Sequence, residues 1–278
     1  MSIPVNFKYI RPDTLQQACS AYDAVVSQNE TPLFYAGGSE IISMARVGSI
    51  APAAVVDLKG IPECTAYRSE PQRLVIGSCV TLSQIREAGD FPLLGEAGGR
   101  IADHTNQTRI TLGGNVCGTI VYREAVLPLL LADAAVCLCG PDGERTAPIA
   151  EVFDERLRLG PGEFVTQFAV EKKYCTAPFV HVKKMKNEKI GYPLLTICAM
   201  KVDGSVRLAF SGLLSYPFRS RQMETAANDR SLGLGDRVRA TVEKLPQSPM
   251  ANLDGSAEYR LFVLENTLLK TLQRMEEL

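Results

Sequence analysis

The sequence carries almost no net charge: its formal charge is −1, with lysine and arginine balancing aspartate and glutamate. Nucleic acid or an anionic membrane finds no field to follow, so neither is expected as a partner. Long apolar runs are missing too. The longest, around residues 125–138, is broken by Pro128 and Asp133, and the N-terminus has no basic stretch leading into an apolar core. The expectation is a cytoplasmic protein. Histidine is scarce: His104 and His181 are the only two, neither stands at a suggestive spacing from a serine or cysteine, and both read as structural. The fingerprints Gly-x-Gly-x-x-Gly and Gly-x-x-x-x-Gly-Lys-Ser/Thr are absent, so a dinucleotide would have to be held by loops of another fold.

Cysteine is present but scattered, at Cys19, Cys64, Cys79, Cys117, Cys137, Cys139, Cys175 and Cys198. Only Cys137 and Cys139 are close, and a Cys-x-Cys on a strand lacks the further ligands of a zinc or iron–sulfur site. These residues read as buried apolar thiols. With 278 residues, 46% of them hydrophobic, the chain is long enough for two or three modules with cores of their own.

Two stretches stand out. Leu33-Phe34-Tyr35-Ala36 runs into Gly37-Gly38-Ser39-Glu40-Ile41, and Arg109-Ile110-Thr111-Leu112 runs into Gly113-Gly114-Asn115. A diglycine lets the backbone take positive φ and approach a ligand closely, and successive N–H groups in such a turn attract phosphate oxygens. Ser39, Thr111 and Asn115 can add side-chain hydrogen bonds. Each turn taken alone is equally a tight loop that needs glycine only for its geometry.

Around them the pattern alternates. Residues 7–12 are extended, Asp13-Thr14 caps an amphipathic helix, residues 33–36 and 54–58 are strands, and residues 41–47 between them form a helix, which makes an α/β unit. Strands are expected at 73–80 and 163–170, with helices from Thr81 and over residues 91–101. Gly140-Pro141-Asp142-Gly143 is a hairpin turn. Strands at 179–184, 194–202 and 206–214, the last two joined at Asp203-Gly204, predict a small antiparallel sheet. Helices are predicted from Pro217 to the end, with a turn-rich break at 245–255.

Ala36-Gly37-Gly38-Ser39-Glu40-Ile41 and Thr111-Leu112-Gly113-Gly114-Asn115, with the later Leu127–Val136 stretch and Asp254-Gly255-Ser256-Ala257-Glu258-Tyr259-Arg260, resemble in order the motifs of the FAD-binding subunits of the molybdenum hydroxylases, the xanthine dehydrogenase and carbon monoxide dehydrogenase group. The resemblance implies an α+β fold: two FAD-binding subdomains of the vanillyl-alcohol oxidase or p-cresol methylhydroxylase type (1–59 and 60–172) and a C-terminal domain (173–278) with a small antiparallel sheet and helices. A helix from Leu127 and strands at 136–139 and 145–149 are implied by the same resemblance. FAD is the implied cofactor, its pyrophosphate between the two turns. The implied role is electron transfer: a molybdenum-cofactor subunit oxidises the substrate, a 2Fe–2S iron–sulfur subunit relays electrons, and this chain's FAD passes them to NAD or another acceptor. A free-standing flavin oxidoreductase of the same fold, and an assembly subunit that has lost FAD, remain as alternatives.

Carried over residue by residue, the first loop is Phe34, Tyr35, Ala36, Gly37, Gly38, Ser39, Glu40 and Ile41, and the second is Thr111, Leu112, Gly113, Gly114 and Asn115. The resemblance adds Ile101, a backbone contact at Val165, and Lys183 as a cation beside the flavin N1–C2 carbonyl edge. The other reading of Lys183 joins it to Lys184, Lys186 and Lys189 in a solvated basic face. Tyr192 is read either as a ring-stacking residue or as a buried structural tyrosine. The family's Gln-Ile-Arg-Asn before the second loop is replaced by Thr105-Asn106-Gln107-Thr108, its arginine standing at Arg109, and the family's aspartate near the FAD ribityl or ribose region has no clean match, Glu124 in a segment shifted by one residue being its candidate substitute. No separate acid–base pair is recognised, so no catalytic residue is assigned.

Overall fold

The computed structural model describes residues 3–186 and 191–278. The first sheet is parallel, in the order β1 (Lys8–Ile10), β3 (Ala54–Asp57), β2 (Pro32–Tyr35). The crossover helices α1 (Leu15–Val26) and α2 (Ser39–Arg46) explain that direction, because parallel neighbours need a connection long enough to return to the same edge. Central β3 is buried along its whole length, as its Ala-Val-Val-Asp sequence requires. Thr14 caps α1 by accepting from the Gln17 N–H at 3.2 Å, and Leu15, Ala18 and Val25 form the helix face turned inward.

The second sheet is antiparallel, in the order β4 (Tyr67–Ser69), β5 (Arg73–Gly77), β10 (Phe164–Glu171), β6 (Ala135–Gly140), β7 (Gly143–Pro148). Short α3 (Pro62–Thr65) precedes it. Between β5 and β6 the chain makes α4 (Leu82–Ala88), α5 (Pro92–Gly98), α6 (His104–Gln107), α7 (Leu112–Cys117) and α8 (Val126–Leu131). The turn α9 (Ile149–Val152) and the small hairpin β8 (Phe153–Asp154), β9 (Arg156–Leu157) follow β7, and α10 (Lys172–Cys175) follows β10. The hairpin predicted at residues 140–143 is present, with Gly143 at φ +100°.

The third sheet is antiparallel in chain order: β11 (Phe179–Met185), β12 (Pro193–Val202), β13 (Ser205–Ser211), β14 (Phe218–Arg219). Asp203 and Gly204, at φ +50° and +77°, make its tight turn. Helices α11 (Arg221–Ala227), α12 (Leu234–Glu243) and α13 (Ala257–Glu277) cover one face. Helix was predicted from Pro217 onward; instead residues 218–219 pair with β13, since Phe218 opposite Phe210 fills the sheet's core face.

Shared cores join the three sheets. Leu15, Ala18 and Val56 of the first pack with Cys64, Cys79, Cys139 and Phe164 of the second. The core of the second sheet, α4, α5 and α8 continues into Cys198, Met200, Val202 and Ala209 of the third. Arg260 explains the family-like motif that contains it. Fully buried, it donates to the carbonyls of Leu194 and Gly212 and to Asn252 Oδ1, tying α13 to the ends of β12 and β13. Not all the cysteines are buried: Cys117 is exposed and Cys19 and Cys137 are half-buried.

His181 on β11 is sealed in, near Glu96 but hydrogen-bonded to nothing among the described residues. Burial first, then Arg100 and Lys183, push its imidazole down to about 4. The native state favours the neutral ring, so its stabilising effect is complete above the ordinary value near 6.5 and is lost as pH falls toward 4. Denaturant melts at pH 7 and pH 5 should show a loss of about 2 kcal/mol that His181→Gln does not share. An equal acid loss in the variant would refute this assignment.

Candidate cofactor site

The first diglycine turn ends β2. Gly38 takes φ +74° and serves as N-cap of α2 without a side-chain cap. Among the described residues no acceptor takes the N–H of Gly38, Ser39, Glu40 or Ile41. These amides, at the positive end of the α2 dipole, are able to receive an anion. The strand leading in is held firmly: Phe34 lies between Tyr22 and Phe164, at centroid distances of 4.8 and 4.5 Å. Lys59 donates to the Ala36 carbonyl at 2.6 Å and to both oxygens of buried Asp57 at 2.8 Å, and its ammonium stands 4.5 Å from the Tyr35 ring centre. Sequence reasoning missed Lys59 and Asp57, because a charged pair after a buried strand gives no signal until the strand's end is placed beside the turn.

The second stretch differs from its reading as a strand running into a loop. Thr111 makes an isolated bridge with Thr81 and caps α7, so Gly113 and Gly114 lie in the first turn of a helix, with no positive φ. Its amides are already engaged: Leu112 donates to Val80 O, Gly113 to Ser78 O, Gly114 to Thr111 Oγ1 and Asn115 to Thr111 O, at 2.8–3.1 Å. Gly113 is required by close approach, since a Cβ there would stand 2.6 Å from Ser78 Cβ. Asn115 Oδ1 accepts from Ala125 N at 3.1 Å, holding the segment beyond the helix.

The two turns meet. A Cβ on Gly37 would fall 1.8 Å from the Arg109 carbonyl oxygen and 3.3 Å from Thr111 Cγ2. Glu40 reinforces the contact by accepting from the Thr119 N–H at 2.7 Å and from its hydroxyl. The free donors thus come from the first turn, and the second supplies the wall beside them.

The remaining candidates lie toward the third sheet. Glu124 and Lys183 are buried and paired at 2.6 Å, with Lys183 also donating to Arg100 O at 2.8 Å and Thr196 to Glu124 at 2.6 Å. Lys183 is therefore no part of a solvated basic face; Lys184 and Lys186 are exposed, and Lys189 lies outside the described residues. Burial pushes the Glu124 carboxyl up and Lys183 opposes it. We take the pair as ionised, because each oxygen of Glu124 has a donor. Ile101 is half-buried, its carbonyl accepting from Gln107. Val165 is a core residue beside a bulge in β10. Tyr192 is not buried: it is 59% exposed and stacks on Tyr122 at 4.6 Å. Two surface hollows of about 380 and 470 Å³, lined by residues of α4, α5 and α6, include none of these residues.

The open amides at the start of α2, with the buried lysine–glutamate pair beyond them, fit a bound dinucleotide. The family model described as the FAD binding domain in molybdopterin dehydrogenase matches residues 5–170. The chain belongs to this family. FAD is accordingly its cofactor. The chain is 24% identical to the glyceraldehyde dehydrogenase medium chain of Sulfolobus acidocaldarius, over 98% of this chain and 99% of that one. It is 31% identical to the caffeine dehydrogenase subunit beta of Pseudomonas sp. (strain CBB1), over 56% of this chain and 54% of that one. Its fold matches that of carbon monoxide dehydrogenase from Hydrogenophaga pseudoflava, with a TM-score of 0.87, 21% identity and 98% of each chain covered. Quinoline 2-oxidoreductase from Pseudomonas putida 86 gives 0.84 and 18%, covering 99% of this chain and 98% of that one.

In FAD-free protein, Gly37→Ala should destabilise by more than about 2 kcal/mol because neither turn can retreat without breaking the contact, whereas Gly235→Ala, on the helical backbone of α12 with open space around it, should not destabilise at all. Equal melting temperatures for the two variants would contradict the docked geometry. Lys183→Met should cost about 3 kcal/mol by leaving Glu124 buried and unpaired, and adding Glu124→Gln should recover most of it. Additive losses in the double variant would rule out the coupling.

Proposed function

We propose that this chain is the FAD-carrying electron-transfer subunit of a xanthine dehydrogenase-like molybdenum hydroxylase. It takes electrons from a 2Fe–2S iron–sulfur subunit, which receives them from a molybdenum-cofactor subunit, and delivers them to NAD or another acceptor. The observation that carries the reading is the row of unclaimed amides at the start of α2, walled by the helix that Thr111 caps. Bound FAD supplies the chemistry of accepting and releasing an electron pair. The chain's own residues bind and orient. Gly38, Ser39, Glu40 and Ile41 offer N–H donors to the diphosphate, and Gly37 and Gly113 let the backbone of the second stretch pack close beside them, against Arg109 O and Ser78.

Lys183 is assigned to the N1–C2 carbonyl edge of the flavin. Its ammonium has donated two hydrogen bonds, to Glu124 and to Arg100 O, and retains a third N–H for a ligand. Tyr192, exposed and backed by Tyr122, is assigned to stacking on the ring, and the Ile101 and Val165 backbones to its borders. The divisions 1–59, 60–172 and 173–278 are proposed as two FAD-binding subdomains and a C-terminal domain. That relatives are named as a medium chain or a subunit of a dehydrogenase supports a multi-subunit assembly, and among the described residues no helix is long and apolar enough to cross a membrane.

Purified protein should absorb at about 370 and about 450 nm and retain roughly one FAD per chain. Affinity purification from native cells should bring down an iron–sulfur chain and a molybdenum-cofactor chain. Flavin binding without such partners would favour a free-standing oxidoreductase, and a colourless chain that rejects added FAD would defeat the assignment.

A further inference from the structure

Arg123 is a buried cation without an anion. It is 3% exposed, on a backbone with φ +22°, in the segment between α7 and α8. One hydrogen bond leaves its guanidinium, from Nη2 to the Glu155 carbonyl at 2.5 Å, and the group lies 5.6 Å from the centre of the Phe153 ring. Nε and Nη1 reach no acceptor, and among the described residues no carboxylate pairs with Arg123 or with Arg156 on β9. Burial first, then repulsion by Arg156, lower the proton affinity of Arg123, while Glu40 and Cys117 act in the opposite sense. The guanidinium thus feels charge from both Glu40 on α2 and Cys117 on α7.

A guanidinium cannot shed its proton to escape this environment, as a lysine would. Its desolvation has to be offset by a negative partner, and Glu40, already bound to Thr119, does not bond to it. Nε and Nη1 stand on different edges of the guanidinium plane, so one carboxylate does not serve both. A group with several oxygens spread over two centres does. The strained backbone at Arg123 points the same way, since such strain persists where the surroundings impose it at binding sites.

We propose that Arg123, backed by Arg156, is a phosphoryl-anion site that takes the diphosphate of the bound dinucleotide together with the α2 amides. The assignment rests on the FAD reading above. The present contacts of Arg123, one carbonyl and one ring face, are weak enough to exchange for charge-assisted bonds to phosphate.

The test uses the full chain freed of flavin and follows binding of FAD and of riboflavin, which lacks phosphate, by quenching of flavin fluorescence at several salt concentrations. Arg123→Met should weaken FAD at least tenfold and leave riboflavin unchanged, with Arg123→Lys in between. Arg156→Ala, at an exposed position, should weaken FAD two- to fivefold and flatten its salt dependence. Inorganic pyrophosphate should compete with FAD on the wild type and lose that ability in Arg123→Met. Circular dichroism identifies a variant that has not folded; if Arg123→Met is one, Arg156→Ala decides. Wild-type binding of FAD with unchanged affinity and salt slope in the folded variants overturns the proposal. So does a pyrophosphate effect that depends on Arg123 while FAD affinity does not, since the site would then serve a free anion. Failure of the wild type to bind FAD overturns the cofactor reading itself.

Discussion

The site depends on backbone meeting backbone between Gly37 and the Arg109 carbonyl, with no room for even a methyl group between them. That contact joins the end of a parallel strand to the entrance of α7 and sets how the first two sheets face each other. It leaves the amides at the start of α2 without an acceptor. Glycine is needed at position 37 for proximity and at 38 for a left-handed turn, two different physical demands in adjacent residues. Glu40 and Thr119 add a polar clasp across the same seam.

Charge is buried where the second and third sheets join, and nearly every charged group there has a partner. Glu124 is shared by Lys183 and Thr196. Asp133 takes Arg207 and Arg219 at 2.6 and 2.7 Å, and those arginines also bind the carbonyls of Leu131 and Leu130 that end α8. These pairs orient one sheet against the other while the continuous apolar core supplies the cohesion. Arg123 departs from this rule, and for that reason it reads as unfinished without a ligand.

Much of this was legible in the sequence. Strand–helix–strand alternation before Gly60 implied the parallel sheet, and Pro141, Gly143, Asp203 and Gly204 marked both hairpins because each residue restricts or frees a particular dihedral. The pair of diglycine stretches was singled out before their contact was visible, and the structure brings the two together. Composition could not separate a loop from a helix N-terminus at Thr111-Leu112-Gly113-Gly114. That difference is decided by the carbonyls of Ser78 and Val80, which arrive from a distant strand end. β14 was hidden by its length, two residues being too short for any periodicity. Lys59 and Arg123 escaped because nothing local distinguishes a clamping or buried cation from one in water.

The order of the parts along the chain has a consequence for biogenesis. The amides of α2 emerge from the ribosome early, but their wall at Arg109–Thr111, the clasp at Thr119 and the lysine at 183 follow over a much longer stretch of translation. A nascent chain halted before Arg109 lacks both the wall and the clasp, so the seam between the first two sheets closes only once the second has been made. The site region is thus completed by contacts of high sequence separation, the kind that form late in folding.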